Sequence, residues 1–198
     1  MNDETLQPIF HHLGVLLDYP GDDMLETAIE ISEMLQLDFP ESADQIRVFV
    51  DFANDTSLGR LEEIYTGTFD VNPACYIYVG YLLFGESFKR GKFMVRLKEK
   101  YREHDFSAGN ELPDHLALMF RFLAQLKTDE TLYEQLTDNC MLPALEMMID
   151  SFGSSTSSPN PYFQVLQVAS AVLERSRQPA KPLQLVRDER PSIEWRTQ

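Results

Sequence analysis

Apolar residues recur every three or four positions along most of the chain, which is the spacing that places them on one face of an α-helix. The first such stripe contains Leu6, Ile9, Phe10, Leu13, Leu16 and Leu17. Comparable stripes follow over residues 24–35, 46–53, 58–65, 93–101, 116–123 and 163–173, and shorter helices are predicted near 128–139 and 142–152. This pattern predicts an all-α fold, a single bundle of about eight to ten helices.

The most apolar segment of the chain, Tyr76–Phe84, contains only apolar and aromatic residues. Its β-branched and aromatic content is typical of a strand. However, no neighbouring segment shows the two-residue alternation of a partner strand. We therefore predict a central helix that is buried on most sides.

Capping residues and prolines predict several helix boundaries. Ser87 is expected to cap the helix that follows it, and Thr128 is expected to cap a short one. Pro113 is expected in the first turn of a helix, with Asp114 favourable near its positive end. Pro161 is expected to open the last helix.

Composition divides the chain into a helical domain, residues 1–177, and a tail, residues 178–198. The tail has prolines, mixed charges and little periodicity, so we predict that it is disordered. Within the domain, residues 153–159 are rich in glycine, serine and threonine, which predicts a flexible linker or loop.

The formal net charge is −15, from 32 acidic and 17 basic residues. Such an excess repels nucleic acid and anionic lipid and favours basic partners. It also keeps a protein soluble, so charge alone leaves both interpretations open.

The helix predicted after Ser87 is an exception to this acidity, because it is rich in basic residues. They are Lys89, Arg90, Lys92, Arg96, Lys98, Lys100 and Arg102. They form either a solvated helix surface or a contact for an acidic patch, on this protein or on a partner.

Several features point to a cytoplasmic protein. The N-terminal residues are acidic and lack the basic and apolar regions of a signal peptide. The longest apolar run, Tyr76–Phe84, is far shorter than the roughly 20 residues of a membrane span. The two cysteines, Cys75 and Cys140, are distant in sequence and indicate a reducing compartment rather than a disulfide framework.

The chain has no recognisable catalytic or metal-binding motif. His11 and His12 are adjacent, so on a helix they point about 100° apart and cannot easily share a metal. The segment Glu111–His115 could perform acid–base chemistry, but the same residues also suit the start of a helix. We predict a protein that is not an enzyme and that holds no metal or cofactor.

Several segments resemble, in order, the delta subunit of respiratory nitrate reductase, a NarJ-type assembly chaperone of the wider TorD/DmsD-like group. They are LLDYP at 16–20, YTGTFD at 65–70 with Asn72, GES at 85–87 with Arg90-Gly91, ELPDHL at 111–116 with FLA at 122–124, and NPY at 160–162. The ELPDHL segment is the most specific of these.

This resemblance implies an all-helical chaperone for a molybdenum oxidoreductase. Members of the family bind the N-terminal segment of the apo catalytic subunit until the molybdenum cofactor and the iron–sulfur cluster are inserted. They are not part of the finished enzyme. An acidic rim and an apolar groove would suit such a peptide.

The resemblance also implies which residues bind the peptide. At the matching motif positions they are Tyr65, Phe69, Asp70, Asn72, Glu111, Asp114 and His115. Tyr65 and Phe69 line an apolar floor or pack in the core. Asp70 and Asp114 are expected to pair with basic groups of the partner. The alternative for Asp70, Asn72 and Asp114 is that they cap helices. If Asp114 and His115 contact the partner, replacing both with alanine should weaken binding and leave the fold intact.

Two other functions are compatible with a helical bundle. One is a protein-binding adaptor unrelated to molybdenum enzymes, for which the motif matches would be coincidental. The other is a redox or cofactor-binding bundle, which the small number of ligand residues disfavours.

Overall fold

The computed structural model describes residues 3–71, 75–126, 129–152 and 160–177. Within these ranges the chain forms ten α-helices, one π-helical turn and no β-strand. The helices are α1 (Asp3–Leu16), α2 (Met24–Leu35), α3 (Pro40–Asn54), α4 (Leu58–Phe69), α5 (Val79–Phe84), α6 (Phe88–Glu103), α7 (Leu116–Gln125), α8 (Glu130–Leu136), α9 (Leu142–Phe152) and α10 (Tyr162–Ser176), and the π-helical turn is Thr137–Met141. The predicted all-α class is confirmed.

The apolar stripes form one hydrophobic core. All six residues of the first stripe are buried, as are the four principal apolar residues of α2. α1 packs against α7 and α2, and α10 packs against α3 and α9. Burial of these faces supplies the main stabilising free energy of the bundle.

Gly14 allows α1 and α7 to approach closely. A Cβ at this position would lie 2.6 Å from Cγ of Arg121 and 2.8 Å from the carbonyl oxygen of Ala117. Arg121 extends past this glycine and places its Nη2 2.6 Å from Oδ2 of Asp18. The end of the first predicted motif is therefore fixed to α7.

The prediction of a buried helix over Tyr76–Phe84 is wrong for its first residues. Tyr78 instead pairs with His115 in an isolated antiparallel bridge. The amide of Val79 donates to the carbonyl oxygen of Asp114 at 2.8 Å, and the amide of Leu116 donates to the carbonyl oxygen of Ile77 at 2.9 Å. Only the remainder forms α5, whose last three residues are half-buried.

The predicted helix boundaries agree with the structure at some positions and not at others. Ser87 caps α6, and its Oγ accepts a hydrogen bond from the amide of Arg90 at 3.5 Å. Pro113 and Asp114 lie before α7 rather than in its first turn, so that prediction is wrong. Pro161 directly precedes α10, as predicted.

The segment after α7 is more irregular than its periodicity indicated. Thr128 lies outside the described residues, and the cap of α8 is Asp129, whose Oδ1 accepts from the amide of Leu132 at 2.9 Å. The helix then widens into the π-helical turn before α9. The predicted linker, 153–159, and the predicted tail, 178–198, also lie outside the described residues.

None of the described helices combines the length and the apolar character that crossing a membrane requires.

Candidate functional site

Asp114, from the most specific motif, forms a buried ion pair with Arg90 at the start of α6. Nε of Arg90 lies 2.8 Å from Oδ2 of Asp114, and Nη2 lies 3.4 Å from Oδ1. The side chain of Asp114 is fully buried, and that of Arg90 is 16% exposed. This pair joins the loop before α7 to α6, with a charge-assisted geometry stronger than that of a neutral hydrogen bond.

Two tyrosines enclose the guanidinium of Arg90. Its Cζ lies 5.5 Å from the ring centroid of Tyr78 and 5.6 Å from that of Tyr81. Both distances are within the range of cation–π attraction. Arg90 therefore orders the segment before α5 as well as the loop before α7.

Gly80 leaves room for this ion pair. A Cβ on Gly80 would lie 2.7 Å from Oδ2 of Asp114 and 2.8 Å from Cδ1 of Phe93. Both distances are shorter than real Cβ contacts allow. A glycine at this position of α5 is thus a requirement of the site.

Tyr78 lies at the centre of the motif residues. Its ring meets that of His115 edge-on at 5.3 Å, and its hydroxyl donates to Oε1 of Glu111 at 3.3 Å. Burial, together with the nearby carboxylates of Glu111, Asp70 and Asp114, raises the pKa of Tyr78 to about 12. Tyr78 therefore stays a neutral donor that faces several acids.

Tyr65 and Phe69 belong to a buried aromatic cluster. The ring of Tyr65 lies 4.9 Å from that of Phe69, 5.6 Å from that of Tyr162 and 5.6 Å from that of Tyr19. The hydroxyl of Tyr65 donates to the carbonyl of Leu17 at 3.2 Å, and burial raises the pKa of this phenol. Of this cluster, Tyr19 is the ring that is half-exposed, at 52%.

His115 is buried beneath this region. Burial lowers the pKa of its imidazole, and the carboxylates of Glu111, Asp18 and Asp114 oppose that shift. A neutral His115 can pack against Tyr78 without a charge to solvate.

We call the exposed part of this region the Tyr78 surface, and define it as Tyr19, Asp70, Tyr78 and Glu111. Asp70 and Glu111 are exposed at its edge. The surface combines two carboxylates with two aromatic rings. Such a surface can bind a segment that carries basic and apolar side chains.

The structure divides the sequence-predicted site residues into two groups. Asp70 and Glu111 are exposed, whereas Tyr65, Phe69, Asp114 and His115 are buried, and Asn72 lies outside the described residues. The buried four shape the surface from beneath.

Sequence reasoning missed Tyr19, Tyr78 and Arg90 as parts of the site. Arg90 belonged to the segment at 85–91 that resembles the family, but it was one of seven cations on one helix and was not carried over as a site residue. The available signal was the ELPDHL motif, because a buried aspartate requires a cationic partner or hydrogen-bond donors.

The described residues contain no group of three or more His, Cys, Asp or Glu side chains that could hold a metal ion. Both cysteines are buried and free, and burial raises the pKa of each thiol to about 12.

Comparison with known proteins places these features in context. The model of the family described as "Nitrate reductase delta subunit" matches residues 35–150, which is more than half of the chain. A "Probable nitrate reductase molybdenum cofactor assembly chaperone NarJ" from Bacillus subtilis (strain 168) is 28% identical over 143 residues, covering 70% of this chain and 78% of that protein. The "Nitrate reductase molybdenum cofactor assembly chaperone NarJ" of Escherichia coli (strain K12) is 28% identical over 140 residues, which cover 70% of this chain and 51% of that protein. The match thus spans about half the length of the E. coli relative.

A solved structure shares the fold. It is the crystal structure of a putative redox enzyme maturation protein from Archaeoglobus fulgidus, with a TM-score of 0.59 and 18% sequence identity. The similarity covers 85% of this chain and 93% of that one.

Proposed function

Because the chain belongs to the nitrate reductase delta subunit family, we propose that it is an assembly chaperone for a molybdenum oxidoreductase, namely nitrate reductase or a related enzyme. In this proposal it binds the N-terminal segment of the apo catalytic subunit in the cytoplasm. It holds that segment while the cofactors are inserted and is absent from the finished enzyme. It acts by binding and has no catalytic activity of its own.

The observation that carries this proposal is the convergence of separate motifs around Tyr78. Tyr78 pairs with His115, donates to Glu111 and lies within the electrostatic influence of Asp70. Tyr65 connects the same region to the end of the first motif through Leu17. Residues that are far apart in sequence thus support one surface.

The exposed members of the Tyr78 surface suit a basic and apolar peptide. In the proposed complex, Asp70 and Glu111 attract lysine or arginine side chains, which speeds encounter and sets orientation. The rings of Tyr19 and Tyr78 offer apolar contact area at a low cost in conformational entropy. A net charge of −15 also favours the approach of a basic segment.

The buried motif residues have a different role in this proposal. Tyr65 and Phe69 support the aromatic floor. Asp114, through its ion pair with Arg90, fixes the loop that carries Glu111. His115 supports the ring of Tyr78. Asn72 is retained as a peptide-binding residue on its motif position alone.

The chaperone must also release its partner. An affinity near the micromolar range, about −8 kcal/mol, allows binding during assembly and dissociation afterwards. Two exposed carboxylates and two rings match such a modest affinity better than a deep pocket would.

The test is fluorescence anisotropy with a dye-labelled peptide from the N-terminus of the nitrate reductase catalytic subunit of the same organism. We expect saturable binding that weakens about tenfold or more in the Asp70→Asn, Glu111→Gln variant. The matched control is Glu41→Gln with Asp51→Asn, which removes two exposed carboxylates from α3 and should leave the affinity unchanged.

Two results would count against the proposal. Equal affinity of the wild type and the Asp70→Asn, Glu111→Gln variant removes the Tyr78 surface as the binding site. Failure of the wild-type chain to bind any part of the catalytic subunit contradicts the chaperone function itself.

A further inference from the structure

The outward side of α6 exposes apolar side chains between basic ones. Phe88 is 79% exposed and Val95 is 56% exposed, and their spacing of seven residues places them on one side of the helix. Lys92 lies between them, with its Nζ 5.0 Å from the ring centroid of Phe88, and Arg102 continues the same stripe. We call Phe88, Lys92, Val95 and Arg102 the α6 face.

The charge of α6 is opposite to that of the rest of the chain. α6 contains seven basic and two acidic residues, a formal charge of +5, whereas the other 182 residues carry −20. Lys89, Lys92, Lys98 and Arg102 form no ion pair with any other described residue. Glu99, on the same stripe, is paired with Arg96 at 3.4 Å. The α6 face is thus a cationic and apolar surface without an internal partner among the described residues.

A cleft with complementary chemistry lies between α9 and α10. Its volume is about 450 Å³, and its lining includes the apolar side chains of Leu142, Pro143 and Ile149. Glu146 and Asp150 on α9 and Glu174 on α10 add three exposed carboxylates.

These carboxylates also lack internal partners. Across the part of the chain that the structure describes, Glu146, Asp150 and Glu174 take part in no ion pair, whereas the fourth acid of the cleft, Asp138, pairs with Arg177 at 3.0 Å. Met147, which is 46% exposed, follows Glu146 on α9 and adds an apolar contact at the edge. We call this feature the α9–α10 cleft.

We propose that the α6 face of one molecule docks against the α9–α10 cleft of a second copy of this chain. Lys92 then meets Glu146 and Asp150, which are four residues apart and so lie about 6 Å from each other on one side of their helix, and Arg102, about 15 Å further along α6, adds positive charge at the end of the contact. Phe88 and Val95 contact the apolar residues of the cleft and Met147. The occupant is a second copy because this chain supplies both the unpaired cations and the unpaired carboxylates, each beside exposed apolar side chains.

This contact is weak and concentration-dependent. α6 has 16 residues and is about 24 Å long, so one face buries less than the roughly 800 Å² per partner of a standard stable interface. None of its residues belongs to the Tyr78 surface. This inference therefore does not depend on the proposed function.

The experiment is sedimentation velocity on the full chain over a wide concentration range, with a charge exchange between the two surfaces. One variant carries Lys92→Glu and Arg102→Glu, and the other carries Glu146→Lys and Asp150→Lys. Each variant alone opposes like charges, so the dissociation constant should rise about tenfold or more relative to the wild type. An equimolar mixture restores opposite charges and should associate again.

Recovery in the mixture separates docking from misfolding, because misfolded chains would not regain a specific complex. Glu33→Lys with Glu41→Lys is the matched control, since it reverses two exposed acids elsewhere and should leave self-association unchanged. A Phe88→Ser variant should weaken association without a change of charge.

Three outcomes overturn the proposal. The wild-type chain could remain monomeric at every concentration, or both charge-reversal variants could associate as well as the wild type. The third is a monomeric chain that binds phosphatidylglycerol vesicles and loses this binding in Lys92→Glu, Arg102→Glu, which would assign the α6 face to a lipid surface instead.

Discussion

Nε of Arg90 lies 2.8 Å from Oδ2 of Asp114, and the side chain of Asp114 is completely shielded from solvent. A buried carboxylate without a partner is costly, so each group depends on the other. The pair connects α6 with the loop that carries Glu111. It explains how the most specific motif of the sequence acquires a fixed conformation.

Removal of one charge from this pair should destabilise the chain. We expect Asp114→Asn to lower the free energy of unfolding by about 3 kcal/mol, because the largely buried guanidinium of Arg90 is then uncompensated. This replaces the sequence-based expectation that changes at Asp114 and His115 leave the fold intact. Urea denaturation followed by circular dichroism measures the effect.

A double-mutant cycle distinguishes the pair from general damage. Arg90→Met combined with Asp114→Asn should cost less than the two single substitutions together. If the losses in unfolding free energy of the two single variants simply add up in the double variant, then Arg90 and Asp114 do not stabilise the fold through their contact with each other.

Gly80→Ala should disturb the same region by overpacking. Its Cβ would lie 2.7 Å from Oδ2 of Asp114 and 2.8 Å from Phe93, and the expected loss in unfolding free energy is about 1–3 kcal/mol. Gly67→Ala is the matched control, because nothing lies within 4 Å of its added Cβ. Because Gly67 lies within α4 and alanine has the higher helix propensity, Gly67→Ala should leave the free energy of unfolding unchanged or raise it by up to about 1 kcal/mol. Equal effects at the two glycines would contradict the close packing around Gly80.

The fold was predictable from sequence where local periodicity decides structure. The stripe of α1 and that of α2 are buried as their spacing indicated. The segment before α5 was not predictable, because its backbone pairs with residues near His115, which are more than 30 positions away. An apolar run has the same appearance whether its first residues form a helix or a bridge.

The site was predictable in part, for a related physical reason. Motif resemblance located Glu111, Asp114 and His115, but it could not distinguish exposed from buried members. Burial of Asp114 depends on Arg90, which lies 24 residues earlier on another helix. A single sequence contains no local signal for such a pairing.

His115 should make stability depend on pH. Burial lowers the pKa of its imidazole from the ordinary 6.5, so the unfolded chain binds the proton more readily than the folded chain. The contribution of His115 to stability is therefore complete above pH 6.5 and is lost as the pH falls below that value. The slope from one such group is at most about 1.4 kcal/mol per pH unit.

The measurement is the unfolding free energy of the wild type and of His115→Gln between pH 7.5 and pH 5. The wild type should lose more stability than the variant over this interval. Parallel curves for the two proteins would show that His115 is as easily protonated in the folded chain as in the unfolded one.

Both thiols should be unreactive in the native protein. Cys75 and Cys140 are buried, and burial raises the pKa of each thiol to about 12, so little reactive thiolate exists at pH 8. Ellman's reagent should therefore titrate no thiol in the native chain within minutes and two in guanidinium chloride. Val48→Cys, at a position that is 58% exposed, provides a reactive control. Rapid modification of a native cysteine would reveal local opening around it.

The central claim is that the chain binds the immature catalytic subunit of a molybdenum enzyme and not the mature one. The most direct measurement is calorimetric titration of the chain with the catalytic subunit in two forms, free of cofactor and fully loaded. The chaperone function predicts binding to the cofactor-free subunit and affinity at least about 100-fold lower for the loaded one, a difference of about 2.7 kcal/mol. Equal affinity for both forms, or binding to neither, would contradict it.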